Sequence, residues 1–432
     1  MPPNKGKKVL YVLRVCAAAL FFSAVVAAFS GVSLFAPVLK IQFFPALDRK
    51  AWGVVAVVLL SAFLFGRFYC SVVCPFGILQ DVIGFFSRRK AKPDADRAKT
   101  RYLIAGVVFA LFFSGAAGVA GWLDPYSNFG RVAAFFKNQA FYAGGIVFSV
   151  ITILALWKKR FFCTTLCPVG AVLGLCAKVG PFKLRFSDKC VKCGKCASVC
   201  PCGCADPKNG GLDNERCVRC LKCAAVCPMN AVAVGKERQI GVVDLSRRGF
   251  LTGGLAAAAG VAAGAALASV LSEKAKDGEK TPVCPPGALS VDDFAAKCTN
   301  CLACVSACKG GVLRPRGSGY ATVHLEYGEN RCLYSCAACS NICPTGALTP
   351  LSLAEKQRRR IGLASFDRDK CVGCGSCLSE CPRGAVLFRE EGGDHFVTVD
   401  PLSCIGCGAC VAVCPVKAIG IRPAAVQTEV SA

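Results

Sequence analysis

The sequence predicts a multidomain protein: an α-helical membrane domain of four helices plus a fifth, internal apolar helix, joined to three small cysteine-rich α+β modules. Three observations predict this architecture. Apolar stretches alternate with basic loops over the first 160 residues, a further apolar run comes after two arginines in mid-chain, and regular cysteine runs fill most of the rest. The chain has 432 residues, 54% of them hydrophobic, so we expect about two to three domains, partly in a bilayer.

Four apolar stretches form the predicted membrane domain, residues 1–180. A spanning helix needs about 20 mostly apolar residues, so the first and third stretches fit well, whereas the second and fourth are short. Buried core helices of a soluble protein are the alternative interpretation. The stretches cover 9–30, 51–66, 102–121 and 141–157.

Lysine and arginine are concentrated in alternate loops of this domain. They crowd the N-terminus, the loop after the second stretch and the segment after the fourth, for example Arg88, Arg89 and Lys90. By the positive-inside rule, both ends of the domain face the cytoplasm.

The formal net charge of +25 counts every cysteine as neutral. Because much of it flanks apolar segments, and no basic groove interleaved with aromatics is visible, it indicates membrane topology rather than nucleic-acid binding.

The membrane domain contains a repeated motif. "RFYCSVVCPFGIL" (67–79) and "RFFCTTLCPVGAV" (160–172) each come after an even-numbered apolar stretch. Two cysteines four residues apart share one face of a helix, and the proline after them marks a boundary or kink. The four thiols could ligate a metal, form redox-active disulfides, line a quinone pocket, or be buried without chemistry. They are Cys70, Cys74, Cys163 and Cys167.

Six further cysteine runs occur in three pairs, over 190–227, 298–343 and 371–414. Their pattern, C-x2-C-x2-C-x3-C-P, is that of bacterial ferredoxins, in which the fourth cysteine ligates the neighbouring cluster. Structural zinc fits poorly, because it prefers separated cysteine pairs. The runs therefore predict six [4Fe-4S] clusters with these ligand sets: Cys190, Cys193, Cys196 and Cys227; Cys217, Cys220, Cys223 and Cys200; Cys298, Cys301, Cys304 and Cys343; Cys332, Cys336, Cys339 and Cys308; Cys371, Cys374, Cys377 and Cys414; Cys404, Cys407, Cys410 and Cys381.

Two places depart from the pattern. In the middle pair, Lys309 replaces the proline after the fourth cysteine, and three residues rather than two separate Cys332 from Cys336. In the first pair, Cys202 and Cys204 lie so close after Cys200 that either could substitute as a ligand. We still expect bacterial-type dicluster ferredoxin modules, α+β and βαβ-like, in all three pairs.

Other redox and nucleotide sites lack support. The chain has no C-x-x-C-H motif for c-type haem, and its histidines, His324 and His395, lie outside the membrane domain. Neither a G-x-G-x-x-G motif opening a βαβ unit nor a P-loop is present. Electrons are the cargo that the sequence indicates.

The internal apolar run begins like an export signal, "DLSRRGFLTGG", with Arg247 and Arg248 at its start. Residues 244–271 are predicted as a twin-arginine signal or anchor that carries the chain outward, and a plain transmembrane helix is the alternative. Peptidase cleavage after Ala268 would release the distal domain. The predicted order is then a cytoplasmic two-cluster domain (181–240), the signal, a linker (272–281) and a periplasmic four-cluster domain (282–432).

The motifs together resemble two known families joined in one chain. Residues 1–240 resemble NapH-type membrane ferredoxins, and 244–421 resemble NapG/MauM-type ferredoxins, whose entry into the first cluster run is similar to "CPPGALSVDDFAAKCTNCLAC". The resemblance implies a multi-pass protein of the bacterial cytoplasmic membrane, active in anaerobic respiration. It implies electron transfer from membrane quinol to a periplasmic reductase or multihaem cytochrome, and export by the twin-arginine translocase.

Three functional hypotheses remain open from the sequence. The leading one is a membrane conduit with quinol dehydrogenase activity, in which quinol is oxidised near the four membrane cysteines, with an additional metal or quinone site there. The second is an accessory protein that donates electrons for the maturation or reactivation of a periplasmic metalloenzyme. The third is a scaffold whose clusters are structural. The sequence does not indicate how electrons cross between the two cluster domains.

Overall fold

The structure, a computed structural model, describes most of the chain. The start of the predicted export signal, 244–246, and part of the predicted linker, 277–281, lie outside the described residues. The described residues are 5–29, 33–48, 51–87, 97–114, 117–136, 141–208, 211–235, 247–276, 282–315, 323–391 and 394–430.

The first part of the chain, residues 5–179, is helical and is called the helical domain below. Four helices are long and the rest are short segments that connect them or pack against their ends. The helices are α1 (Lys5–Phe29), α2 (Ala36–Lys40), α3 (Phe43–Asp48), α4 (Trp52–Phe65), α5 (Tyr69–Val72), α6 (Pro75–Phe85), α7 (Ala98–Phe113), α8 (Ala117–Ala120), α9 (Pro125–Phe136), α10 (Phe141–Trp157) and α11 (Pro168–Val179), with a π-helix over Phe162–Leu166.

This domain differs from the sequence prediction in detail. The third apolar stretch, predicted over 102–121, contains two helices, α7, which ends at Phe113, and the short helix α8. Helices α6, α9 and α11 were not predicted. Each of these three begins with a proline in its first turn, where the missing N–H costs no hydrogen bond.

Two helices in the described part of the chain are long and apolar enough to cross a membrane, over Gly6–Phe29 and Thr252–Ser269. Helices α4 and α10 are apolar but shorter. The outward faces of these helices carry large apolar side chains. Leu20 is 74% exposed, Val57 is 67% exposed and Ile153 is 66% exposed. An apolar belt of this kind on a monomer marks a surface covered by lipid or by another protein.

Helix α14 (Arg247–Lys276) lies parallel to α7 and packs closely on it. Glycines make this approach possible. A Cβ on Gly106 would overlap the carbonyl oxygen of Ala257, and a Cβ on Gly260 would overlap that of Leu103. The first half of the predicted linker, 272–281, is helical, since α14 continues to Lys276. Alanine has the highest helix propensity, and lysine and glutamate are also good helix formers, so the helix extends readily into these polar residues.

Three small α+β modules contain the cysteine runs: module A (183–235), module B (282–348) and module C (359–430). Each has short helices and two-stranded antiparallel sheets, so the predicted βαβ-like arrangement is wrong. The helices of the modules have only four to seven residues, whereas a parallel crossover usually packs a longer α-helix across the sheet. The strands are β1 (Lys183–Phe186), β2 (Ala205–Asp206), β3 (Gly211–Leu212), β4 (Val232–Gly235), β5 (Leu313–Pro315), β6 (Val323–Leu325), β7 (Gly362–Phe366), β8 (Val386–Glu391), β9 (Asp394–Val399) and β10 (Ile419–Pro423).

Within each module the sheets connect the two cysteine runs. In module A, β1 pairs with β4; in module B, β5 pairs with β6; and in module C, β7 pairs with β10 and β8 with β9. The short helices are α12 (Lys195–Val199), α13 (Lys222–Val226), α15 (Val291–Lys297), α16 (Ala303–Ala307), α17 (Ala338–Ile342), α18 (Leu353–Arg358), α19 (Ser376–Ser379) and α20 (Ala409–Ala412).

Modules A and B contact opposite ends of the helical domain. Module A lies at the end where α1 and α7 begin: Lys7 donates to the carbonyl oxygens of Asn230 (3.1 Å) and Val232 (2.8 Å). Module B lies at the end where α1 finishes: a Cβ on Gly130 in α9 would overlap the carbonyl oxygen of Cys301 and touch Phe29. The helical domain therefore separates two cysteine-rich modules.

Candidate functional site

The same backbone conformation recurs in five of the six cysteine runs, and the run that begins at Cys332 lacks it. The backbone is left-handed on both sides of the second cysteine of a run. In the first run of module A these residues are Lys192 (φ 53°) and Gly194 (φ 76°). In the second run of that module these positions are Arg219 and Leu221, at φ 54° and 60°. A left-handed non-glycine residue costs roughly 1–2 kcal/mol, so the loop geometry is imposed by more than local preference.

Three cavities each have four of the predicted ligands in their lining. We name the cysteine sets after their modules: site A1 is Cys190, Cys193, Cys196 and Cys227; site C1 is Cys371, Cys374, Cys377 and Cys414; site C2 is Cys404, Cys407, Cys410 and Cys381. In each, three cysteines of one run meet the fourth of its partner, so the donor set fits a [4Fe-4S] cluster.

The second cavity of module A is lined by six cysteines rather than four. Besides the predicted set, named site A2 (Cys217, Cys220, Cys223 and Cys200), it includes Cys202 and Cys204. The Sγ atoms of Cys200 and Cys204 lie 3.5 Å apart, and the hydrogen bond between them lowers the pKa of Cys200 to about 6. Either extra thiol is therefore positioned as an alternative ligand.

Module B brings its cysteines together despite the irregular spacing. Burial, followed by the charges of Cys332, Cys308 and Cys336, raises the pKa of Cys339. In the same way burial raises the pKa of Cys301, and Cys343 and Cys298 add to the effect. Site B1 is Cys298, Cys301, Cys304 and Cys343, and site B2 is Cys332, Cys336, Cys339 and Cys308. Lys309 and the extra residue in the second run do not prevent the two sets from converging.

The fourth cysteine of a run receives a backbone hydrogen bond from four residues downstream. The N–H groups of Ala231, Ala385 and Ala418 donate to the sulfurs of Cys227, Cys381 and Cys414, at 3.3, 3.2 and 3.3 Å. Amide donors favour the thiolate form, which is the form that binds iron. These contacts support cluster ligation by the cysteine that crosses between the two loops.

The repeated cysteines of the helical domain do not share a helical face, so that expectation is wrong. Cys70 lies in α5, whereas Cys74 is extended (φ −74°, ψ 111°) immediately before α6. Cys167 is likewise extended (φ −73°, ψ 117°) before α11. The reason is the next residue, a proline, because it disfavours helical backbone in the residue before it.

Arginines at the start of each repeat link the two copies reciprocally. Arg67 donates to the carbonyl oxygen of Cys163 (2.6 Å), and Arg160 donates to that of Cys70 (2.9 Å). Glycines of matching position leave room for them: a Cβ on Gly170 would lie 2.5 Å from Nη2 of Arg67. A Cβ on Gly77 would overlap the carbonyl oxygen of Cys70. The duplicated motifs thus form one site.

The four cysteines Cys70, Cys74, Cys163 and Cys167, called the thiol site, are all buried. Gln80 of the first repeat donates to Sγ of Cys163 in the second (3.0 Å). Arg67 is close enough to Cys70, Cys163 and Cys167 for their charges to interact. Among the described residues, no three Cys, His, Asp or Glu side chains are arranged to hold a single metal ion.

The thiol site has excess positive charge. Arg160 is fully buried and forms a salt bridge with Asp81, which also forms one with Arg14. Arg67 is also fully buried, but it bonds only carbonyl oxygens and the Cys70 sulfur within the described residues. A buried cation without an anion is costly. Anionic sulfur at the site would compensate it, as a thiolate-bound metal centre would. The shared "RF" that opens both repeats was the signal for these arginines, and the sequence prediction missed it.

The remaining cysteines vary in burial. Cys16 is exposed on the outer face of α1, Cys176 is half-buried and Cys284 is buried in module B. Cys16 is exposed because α1 has one face outside the helical core.

Family models for cluster-binding sequences match all three modules and the repeats. A 4Fe-4S dicluster domain matches modules B and C, and a 4Fe-4S binding domain matches part of module A. A second 4Fe-4S binding domain matches both C-x3-C-P repeats and a segment of module B. The matched residues are 297–347 and 356–419; 211–233; and 52–93, 140–187 and 339–360.

Curated relatives match parts of the chain. It is 30% identical over 170 residues to YccM of Escherichia coli K12, a candidate electron transport protein, covering 36% of this chain and 47% of YccM. It is 32% identical over 173 residues to the methylamine utilization ferredoxin-type protein MauN of Paracoccus denitrificans, covering 35% of this chain and 56% of MauN. The chain thus spans about half the length of these two relatives.

A third relative is covered almost completely. The chain is 34% identical over 195 residues to the methylamine utilization ferredoxin-type protein MauM of Methylorubrum extorquens, which covers 33% of this chain and 88% of MauM. The described cysteine sets and the matched 4Fe-4S domains agree with this likeness. The chain therefore belongs to the ferredoxin-type iron–sulfur proteins.

Proposed function

We propose that the protein is a membrane-embedded electron conduit whose helical domain connects cluster modules on the two sides of the bilayer. The observation that carries the proposal is the position of the thiol site, in a helical domain whose opposite ends contact modules A and B. The proposed order of centres is A1, A2, the thiol site, B1, B2, C2 and C1.

The apolar outer surface of the helical domain supports its placement in a bilayer. Its four long helices and α14 run between the two modules, so modules A and B lie at opposite ends. Module A contacts the ends that carry the most basic loops, which supports a cytoplasmic position by the positive-inside rule. Modules B and C are then periplasmic. This topology agrees with export across the membrane by the twin-arginine route.

The contact between module A and the thiol site supports electron transfer between site A2 and the thiol site. Cys202, in the lining of the A2 cavity, is close enough to Arg67 and Arg160 for their charges to interact. Arg67 also donates to the carbonyl oxygen of Glu215 in module A (3.2 Å). The same two arginines bond the backbone of the thiol site, so a few side chains separate it from A2.

Aromatic side chains lie between the thiol site and module B. Tyr69, which adjoins Cys70 in sequence, interacts electrostatically with Cys74 and with Asp124 near the other end of the domain. Its hydroxyl donates to Gln42 (2.7 Å). Tyr126 in turn interacts with Tyr69, Asp124 and Cys301 of site B1. This series of neighbouring side chains supports a route between the cluster domains, which the sequence did not indicate.

The resident clusters would supply one-electron carriers; the chain holds and shields them. At the thiol site, Cys70, Cys74, Cys163 and Cys167 would hold an additional thiolate-bound centre, as the excess positive charge and the family match of both repeats suggest. The names of MauN and MauM connect relatives with methylamine utilization, and YccM with electron transport. Membrane quinol as donor and a periplasmic reductase or multihaem cytochrome as acceptor remain part of the proposal.

The test uses the full-length, cluster-loaded protein in lipid nanodiscs under anaerobic conditions. Addition of a reduced naphthoquinol should change the EPR spectrum of its clusters. In Cys70→Ala and Cys163→Ala variants this reduction should be lost, while dithionite still reduces the clusters. Cys16→Ala, on the exposed face of α1, is the matched control.

Two results would contradict the proposal. The absence of any cluster signal change with quinol in the unmodified protein would remove the donor. Unchanged iron content together with unchanged quinol reduction in both variants would remove the thiol site from the route.

A further inference from the structure

We propose that Tyr126 and Arg131 of α9 donate hydrogen bonds to the cluster at site B1 and raise its reduction potential. Both side chains belong to the helical domain, so the cluster of one domain is tuned by another. The inference deepens the proposed function and rests on it in one respect, that site B1 holds a cluster at the end of the helical domain.

The face of α9 touches site B1 directly. Gly130 lies against the backbone of Cys301 so closely that a Cβ at this position would overlap the carbonyl oxygen. Site B1 is deeply covered here, since Cys298 and Cys301 are both only 8% exposed. Tyr126 and Arg131 flank this contact in the sequence of the same helix. Their side chains are thus held at the cluster loop by the packing of one glycine.

Tyr126 presents an unused donor to the site. The side chain is 2% exposed, and its hydroxyl has no hydrogen-bond partner among the described residues. It is close enough to Cys301 and Cys343, two ligands of site B1 from different runs, for their charges to interact. An unsatisfied buried hydroxyl costs roughly 1–3 kcal/mol, so a partner is expected. Cluster sulfur would be an acceptor at this position.

Arg131 has one half of its guanidinium fixed and the other half free. Nη1 donates to the carbonyl oxygen of Gly121 (2.7 Å) and to Asn128 (2.8 Å), and the group lies 4.3 Å above the ring of Trp122. Nε and Nη2 are buried without partners in the described part of the chain. The guanidinium interacts electrostatically with Cys301 and Cys298. It is held in place before any cluster binds.

The nearby carboxylate does not take these donors. Asp124 caps the first turn of α9, accepting bonds from the N–H groups of Tyr126 (3.3 Å) and Ser127 (2.8 Å) and from the Ser127 hydroxyl (2.6 Å). The charge of Asp124 acts on the Arg131 guanidinium more strongly than the cysteines do, but Nε and Nη2 of that guanidinium donate no hydrogen bond to it. The donors that remain, on Tyr126 and Arg131, face an anionic cluster with thiolate ligands. Hydrogen bonds and positive charge at cluster sulfur favour the reduced, more negative state, which raises the potential.

The experiment is a mediated redox titration of the full-length, cluster-loaded protein, monitored by EPR. The signal of the B1 cluster is assigned by its change in a Cys301→Ser variant. Tyr126→Phe removes the hydroxyl alone, and Arg131→Gln removes the charge. We expect each to lower the midpoint potential of this cluster, by about 59 mV where the reduction equilibrium changes tenfold. Iron content should stay the same.

Tyr102→Phe is the matched control, because its hydroxyl donates to Glu215 at the opposite end of the helical domain. It should leave the B1 potential unchanged. Arg131→Lys should restore part of the loss through its charge. An unchanged B1 potential in Tyr126→Phe and Arg131→Gln, with full iron content, would overturn the proposal. Because dithionite and mediators supply the electrons, failure of quinol oxidation would not affect this readout.

Discussion

The cluster loops fall into two kinds that differ at one position of the same motif. The residue after the first cysteine of a run is exposed in sites A1 and C1, where Val191 is 61% exposed and Val372 is 65% exposed. At the same position in sites A2 and B1, Val218 is 1% exposed and Thr299 is 3% exposed. We call the first pair open sites and the second pair sealed sites.

Both sealed sites adjoin the helical domain. Ile405, at the same position of site C2, is also only 3% exposed, but it lies in a cluster with Cys332 and Tyr334 of module B. Site A2 adjoins the arginines of the thiol site, and site B1 adjoins α9, whereas the open sites lie at the far ends of modules A and C. Similar loops thus serve two purposes according to what covers them. In a series of carriers, the end members need access for partners. The inner members benefit from the exclusion of water and of oxidants.

The largest expected effect comes from unsealing site A2. Glu215 of module A is 6% exposed and binds Arg101, Tyr102 (2.7 Å) and Lys178 (3.1 Å) of the helical domain. Removing one member of a buried ion pair costs about 3–5 kcal/mol. We expect Glu215→Gln to lower the opening free energy of the module A amides by about this amount, measured by hydrogen exchange.

The matched control is Glu326→Gln. Glu326 is 65% exposed and lies 3.8 Å from Arg314, and an exposed pair contributes about 0–1 kcal/mol. If the module A amides were as protected from hydrogen exchange in Glu215→Gln as they are in Glu326→Gln, the ion pair would not hold site A2 against the helical domain.

An intermediate effect is expected on the loss of clusters to a soluble oxidant. Cys193 of site A1 and Cys374 of site C1 are exposed, whereas Cys220 and Cys301 of the sealed sites are buried. Under ferricyanide, the EPR signals of the open sites should disappear first. In the Glu215→Gln variant, the EPR signal of site A2 should disappear together with those of the open sites. Equal rates for all six signals would show that the coverage seen at these cysteines gives no protection.

The smallest effect is expected from the surface of an open site. Val372 is exposed beside Cys374, so Val372→Asp should leave the fold intact and change stability by no more than about 0.5 kcal/mol. Electron transfer to an external acceptor should slow, because an apolar contact is replaced by a charge. Reduction of site C1 by dithionite should not change. An unaltered rate with the physiological acceptor would place the exit elsewhere.

The cluster loops were predictable because their chemistry is local. Cysteine spacing within one run fixes three ligands, and pairing of runs adds the fourth, as at Cys227 for site A1. The thiol site was harder, because its geometry depends on contacts between repeats. Arg67 meets Cys163 from a distant part of the chain, and no spacing rule predicts this contact. The contact between site B1 and α9 depends on Gly130, which leaves room for the backbone of Cys301. The sequence of either domain alone does not indicate this contact.

The reciprocal contacts of the repeats have a consequence for synthesis. Cys70 and Cys163 are 93 residues apart (163 − 70), and each backbone is bonded by the arginine of the other copy. At about 5–20 residues per second, the ribosome needs roughly 5–19 s to supply the second copy. During that time the first pair of thiols is without half of its surroundings. The nascent chain therefore passes through a stage in which a reactive cysteine pair depends on the cell for protection.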